Sequence, residues 1–185
     1  MVGIPGAGKS FFAEQFAASF NAPLVSFEHI RNDLFNEPVF SSDEQEIIAR
    51  MASHIITELF KTNQSIVFDG SSAQRADRTL LTKIANSAGY EAIFVWVQTE
   101  RITARQRSTK GKNGIHLTAD QFEAIVTQFS IPHPTERTIV ISGKHTYASQ
   151  LKNVLSHLVT PRVEAVTNQP VIKRPPQSGR NILIR

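Results

Sequence analysis

The chain of 185 residues has no cysteine. That absence removes disulfides, thiolate catalysis and cysteine-ligated metals at one stroke. No apolar run approaches the roughly 18 residues that a membrane span requires. The amino terminus shows no charged segment followed by an apolar one, so no secretory signal is visible. The six histidines are scattered, without an H-E-x-x-H or any other metal-binding spacing, and there are no internal repeats. The compartment expected from these absences is the cytoplasm. The only metal expected is one that arrives with a bound ligand.

Charge is also scarce where its total suggests otherwise. The formal net charge is +4. Residues 159–185 hold Arg162, Lys173, Arg174, Arg180 and Arg185 against Glu164, so residues 1–158 are electrically balanced. The division expected is a globular domain over 1–158, followed by a basic, disordered tail over 159–185 in which Pro, Asn, Gln and Ser recur without period. A tail of this kind binds nucleic acid weakly and in a salt-sensitive way. It lacks aromatic residues, so nucleic acid is a weakly supported partner, and no membrane partner is indicated.

What is present begins at Gly3. Gly3-Ile4-Pro5-Gly6-Ala7-Gly8-Lys9-Ser10 fits G-x-x-x-x-G-K-[ST], the phosphate-binding loop. Its glycines let successive N–H groups turn inward as an anion nest. Lys9 reaches the β- and γ-phosphates in this motif, the Ser10 hydroxyl ligates Mg²⁺, and the helix opening at Lys9 adds its positive dipole end. Gly3, Pro5, Gly6, Ala7, Gly8, Lys9, Ser10 and Phe11 are therefore the nucleotide-binding candidates, with a nucleoside triphosphate (ATP by the resemblance given below) and Mg²⁺ as cofactors. A buried strand of about 4–8 apolar residues normally leads into such a loop. Only Met1 and Val2 precede Gly3. The expectation is either a start upstream, with Met1 internal to the true product, or a chain that lacks most of its first strand, whose loss would open a gap between neighbours. A mis-set start or a fragment is favoured.

The rest of the chain alternates strands and helices. Phe12, Phe16 and Phe20, with Phe11 beside them, predict a helix burying an aromatic stripe. Leu24 to Phe27 reads as a short strand, followed by a loop Ser26-Phe27-Glu28-His29-Ile30-Arg31 at the carboxyl end where such sheets bind ligands. Ser41 to Glu44 is a capping box for a long helix with an inner face of Ile47, Met51, Ile55 and Leu59. Ser65-Ile66-Val67-Phe68-Asp69 has the form of a strand ending in a metal-holding carboxylate. A helix carrying Arg75 and Arg78 and burying Leu80, Leu81 and Ile84 ends at Gly89. Ala92 to Val97, with Trp96 in the core, is a strand buried on both faces. Glu100 to Gly114 carries Arg101, Arg105, Arg107, Lys110 and Lys112, and its place after a strand end suits a basic lid over phosphates. Thr118 caps a further helix with Phe122, Ile125, Val126 and Phe129 inward. A strand follows at Thr138–Ile141, then a last helix through Leu151, Leu155 and Leu158. The alternation behind a phosphate loop predicts an α/β fold, a three-layer α/β/α P-loop NTPase on a parallel sheet, and the resemblance below implies the nucleoside-monophosphate-kinase-like kind.

Over residues 1–158 the chain resembles the P-loop kinase-like proteins related to polynucleotide kinase and zeta toxin, often described as AAA-type ATP-binding proteins. The resemblance rests on Gly3–Ser10, on Ser26-Phe27-Glu28-His29-Ile30-Arg31 (similar to the family's S-x-D-x-x-R), and on Val67-Phe68-Asp69 with Arg75 and Arg78. Thr103-Ala104-Arg105-Gln106-Arg107 and Pro132-His133-Pro134-Thr135-Glu136 complete it. It implies a catalytic set of Lys9, Glu28, Arg105 and Arg107, with Glu28 as the base that takes the acceptor hydroxyl's proton. Ser10 and Asp69 would hold the metal, and Arg31 and Arg75 the acceptor, with Arg31 on its phosphate or carboxylate. The family's aspartate is a glutamate here, one methylene longer. The resemblance favours adenine over guanine, and the chain has no N-K-x-D guanine reader. Two activities follow as alternatives: a kinase acting on a hydroxyl of a small molecule or nucleic-acid end, or a nucleotide switch or slow ATPase without a dedicated acceptor.

Overall fold

The computed structural model describes residues 1–110 and 117–159. The tail reading beyond Val159 and the Lys112-Asn113-Gly114 turn lie outside the described residues.

Helix α1 (Lys9–Phe20) leaves the glycine loop and ends at Asn21, which adopts a left-handed conformation as a C-cap. Strand β1 (Leu24–Ser26) follows, then helix α2 (Phe27–Leu34). The segment read from sequence as a loop is thus helical, because the Ser26 hydroxyl accepts the His29 amide and starts the helix at once. Helix α3 (Ser42–Phe60) is capped by Ser41, whose hydroxyl accepts the Glu44 amide. The Glu44 carboxylate accepts the amides of Val39 and Phe40 at 2.8 and 2.7 Å, so it is buried and spent on backbone. Next come β2 (Val67–Asp69), α4 (Arg75–Ser87), β3 (Phe94–Gln98) and α5 (Arg101–Thr109). Then α6 (Ala119–Gln128), β4 (Thr138–Ser142) and α7 (Tyr147–Val159) complete the order. Thr118 and Gln121 cap α6 reciprocally, and Gly89 sits at positive φ just past α4.

β1 pairs in parallel with β2, and β3 with β4. Met1 and Val2 lie between the two halves. Val2 bridges to Trp96, donating to the Val95 carbonyl and accepting from the Val97 amide, both at 2.9 Å. On the other side the Met1 α-amino group donates to the Phe68 carbonyl at 2.7 Å. Burial pushes that amino group down to about 6, with Asp69 pulling it back up. Below Met1, toward the amino ends of the strands, the sheet opens into a cavity of about 630 Å³.

Phe12, Val97, Ile139, Ile141 and Val154 form the core between the sheet and helices α1 and α7, while Val25, Ile30, Ile48 and Ala52 form a second core under α2 and α3. Several inner faces differ from the sequence reading. On α3 the buried residues are Ile48 and Ala52, and Ile47 and Met51 are exposed. Phe11, Phe20, Leu80 and Leu158 are also exposed. On α7 the innermost residues are Gln150 and Val154. On α3 the adjacent positions Ile47 and Ile48, and Met51 and Ala52, are all apolar, so periodicity finds a helix without fixing which stripe meets the sheet.

Candidate active site

The glycine loop is held in place by glycine-only geometry and by contacts from distant elements. Gly3, Gly6 and Gly8 all have positive φ, the region where a side chain is strained. A Cβ on Gly6 would overlap the Ala104 carbonyl of α5, and one on Gly143 would overlap the Ala7 carbonyl. The Thr99 hydroxyl donates to the same Ala7 oxygen at 2.9 Å. Around Gly8 there is open space, on the side where α1 begins. Gly6→Ala is expected to cost about 1–3 kcal/mol by forcing the loop off α5, read as a lowered melting temperature and weaker nucleotide binding; a variant that melts and binds like the parent would discount this packing.

Beyond the loop the site is assembled from four strand ends. The Ser10 hydroxyl donates to Asp69 Oδ2 at 2.6 Å, joining the start of α1 to the end of β2. Asp69 is buried. Lys9 Nζ donates back to the Ile4 carbonyl at 3.0 Å. Loss of hydration lowers the Lys9 pKa, while Asp69 and Glu28 pull it back up, so both carboxylates face this ammonium. Glu28 stands in the first turn of α2 and is half-buried. Burial raises its pKa, the charges of Asp69 and Glu14 raise it further, and His29 and Arg31 oppose them. A carboxylate poised above its ordinary range is suited to take a proton near neutrality.

Arg31, three residues after Glu28, lies on the same side of α2. It is buried, stacks on the Phe40 ring at 4.6 Å, and its Nε has no hydrogen-bond partner among the described residues. Glu44, the carboxylate that acts on it most strongly, is already committed to backbone amides.

The remaining candidates are placed separately. Arg75 is exposed on the first turn of α4. Arg105 points toward Glu123 of α6 at 3.9 Å, and Arg101 pairs with the same carboxylate. Arg107 donates to the Gly143 carbonyl at 3.0 Å, tying the lid-like helix α5 to the loop after β4. Arg105 and Arg107 thus face different partners, as two positions on a helix must.

Some of the scaffold was missed from sequence. Arg78 is fully buried and pairs with Glu136 through Nε at 3.0 Å and Nη2 at 3.2 Å. It also donates to the Ser72 and Ala73 carbonyls, and Ser72 donates to the Met1 carbonyl, so the turn after Asp69 hangs on this pair. Arg78 and Glu136 both lie in segments that carry the resemblance, but no local pattern connects an arginine on a helix with a glutamate 58 residues later as a pair. Thr99 and Gly143 left no signal either.

The model of the AAA domain family matches residues 1–132. No curated protein matches the chain. Among solved structures, a gluconokinase from Sinorhizobium meliloti is similar at a TM-score of 0.61 and 20% identity, over 85% of this chain and 89% of that one. The APS kinase of Mycobacterium tuberculosis, in complex with AMPPNP and APS, is similar at 0.60 and 18%, over 86% and 95%. A sugar kinase from a Janibacter species is similar at 0.63 and 13%, over 85% and 91%. At these identities the likeness concerns the fold.

Proposed function

The chain belongs to the AAA domain family, a P-loop kinase-like family, and from that premise we propose that it is an ATP- and Mg²⁺-dependent phosphotransferase. The acceptor is a hydroxyl on a small molecule or nucleic-acid end that also carries a phosphate or carboxylate. The observation that carries this reading is Arg31: a buried guanidinium with an unpartnered Nε, on the same helix face as a carboxylate whose pKa is raised. A buried cation without a paired carboxylate costs stability unless an anion completes it. An anionic acceptor held by Arg31 presents its hydroxyl toward Glu28.

The donor set suits Mg²⁺, a hard cation that takes few protein ligands beside phosphate oxygens. Ser10 and Asp69, two oxygen donors 2.6 Å apart, would hold it. When bound, it supplies charge neutralisation on the phosphates. The loop amides cradle the phosphates, and Lys9 leaves the Ile4 carbonyl to reach them. Glu28 accepts the acceptor's proton as the acceptor oxygen bonds to the γ-phosphorus of ATP and the bond to the bridging oxygen breaks, releasing ADP. Arg107, already at the loop after β4, and Arg105, once released from Glu123, offer positive charge to the transferred group. Arg75, exposed on the first turn of α4, is assigned to the acceptor.

Melting of the chain with ATP and Mg²⁺ tests the nucleotide part. Saturation at about a hundred times Kd is expected to add roughly 2.7 kcal/mol, a shift that Ser10→Ala with Asp69→Asn removes. A melt indifferent to ATP would reject the reading outright. Transfer of labelled γ-phosphate to phosphorylated and carboxylated alcohols tests the acceptor part. The longer glutamate at position 28 motivates the second reading, a slow ATPase or switch; phosphate release with no labelled acceptor across that panel selects it.

A further inference from the structure

The segment joining α2 to α3 is bent in a way that its residue types do not favour. Phe40 adopts a φ of 57°, in the left-handed region that a bulky side chain rarely enters. Backbone of this kind persists only where its surroundings impose it, and it gathers at ligand sites. Glu44 imposes it here. As the third residue of α3, behind the Ser41 cap, its carboxylate would ordinarily return to the Ser41 amide. It reaches past that amide instead. One oxygen accepts the Val39 amide at 2.8 Å and the other the Phe40 amide at 2.7 Å.

Two consequences meet at Arg31. The turn lays the Phe40 ring over the guanidinium, with Cζ 4.6 Å from the ring centre. Both Glu44 oxygens are occupied by amides, so this carboxylate is kept from neutralising Arg31, whose buried Nε–H stays unpartnered among the described residues. A ring against one face leaves the in-plane N–H edge open, and that edge is the one a two-oxygen anion meets with paired hydrogen bonds. The ring also keeps water from that face, which strengthens the attraction for an anion. It fixes the long side chain before the ligand arrives, so less order is lost on binding. We propose that Phe40 and Glu44 are the positioning residues of the acceptor subsite: Glu44 holds the strained turn, and Phe40 holds Arg31 edge-on for the acceptor's anion. This rests on the assignment of Arg31 to that anion, and adds that acceptor affinity is set by a ring standing behind the cation.

The buried Nε–H is itself the probe. In the full chain its NMR resonance is expected to be shielded by the Phe40 ring and to move to saturation as inorganic phosphate is added. Glycine accepts a positive φ without strain, so Phe40→Gly keeps the turn and removes the ring. The phosphate needed for half-saturation is expected to rise on the order of tenfold in that variant. Phe40→Tyr, which keeps the ring, is expected to titrate with the parent. Glu44→Gln, left with one acceptor oxygen for two amides, is expected to lose the ring shielding and to weaken as Phe40→Gly does. If Phe40→Gly or Glu44→Gln titrates with the parent, the positioning role is overturned while Arg31 stands as an anion site. If the parent resonance ignores phosphate, Arg31 is no anion site, and the acceptor reading falls together with this one.

Discussion

Glu28→Gln is expected to lower phosphoryl transfer about 10²–10⁴-fold, the range associated with loss of a general base, while leaving ATP affinity unchanged. Glutamine keeps the shape and hydrogen-bonding capacity of the side chain but cannot take the proton. The pH profile carries the same information. Burial, with Asp69 and Glu14 adding to it, holds the Glu28 pKa above the usual carboxylate range. Transfer in the parent is therefore expected to rise with pH through that raised value, since only the ionised form is a base, and the residual rate of Glu28→Gln is expected to lack that limb. A raised carboxylate pKa also means that the fold disfavours the charge, so Glu28→Gln is expected to melt no lower than the parent at neutral pH. A purely structural carboxylate would give the opposite pair: lower melting with transfer intact. Steady-state transfer and thermal melting on one variant separate the two.

Arg78→Met is expected to cost about 3–5 kcal/mol, because truncating one partner of a buried pair strands the other's charge. For a chain of this size that corresponds to a fall in melting temperature on the order of 10 °C. Burial works against the charge on Glu136, but hydrogen bonds from Arg78 and the His133 amide outweigh it and hold its pKa below the ordinary value. The stability contributed by the pair is therefore complete above the usual carboxylate range and is lost as pH falls through the depressed value. Glu136→Gln is expected to abolish that acid-limb dependence. Arg78 also holds the Ser72 and Ala73 carbonyls, so Arg78→Met is expected to weaken Mg²⁺-dependent ATP binding through the turn after Asp69. Melting curves across acid pH, with and without ATP and Mg²⁺, measure both effects; a variant that melts with the parent would show that the pair holds nothing in place.

The phosphate loop was legible in the sequence because its chemistry is local. Glycines that must adopt positive φ, a lysine and a hydroxyl at fixed spacing sit within eight consecutive residues, and the backbone conformation follows from them directly. The alternation of strands and helices was legible for the same reason: it depends on periodicity over short windows. Ser10 and Asp69 could be nominated separately from their motifs. Their hydrogen bond, and the shared view that Lys9 has of Asp69 and Glu28, come from bringing α1, β2 and α2 to one edge.

Other features were decided only by the tertiary structure. Which stripe of α3 is buried depends on where β1 and α2 lie, so Ile48 rather than Ile47 turned inward. The split between Arg105, facing Glu123, and Arg107, facing Gly143, arises from what α5 happens to neighbour. Arg78 and Glu136 look like ordinary surface charges until the fold closes over them. The composition, the glycine loop and the order of elements were thus fixed by local sequence. The orientation of each helix and the buried ion pair depended on contacts between residues far apart in the chain, whose energies no short window contains.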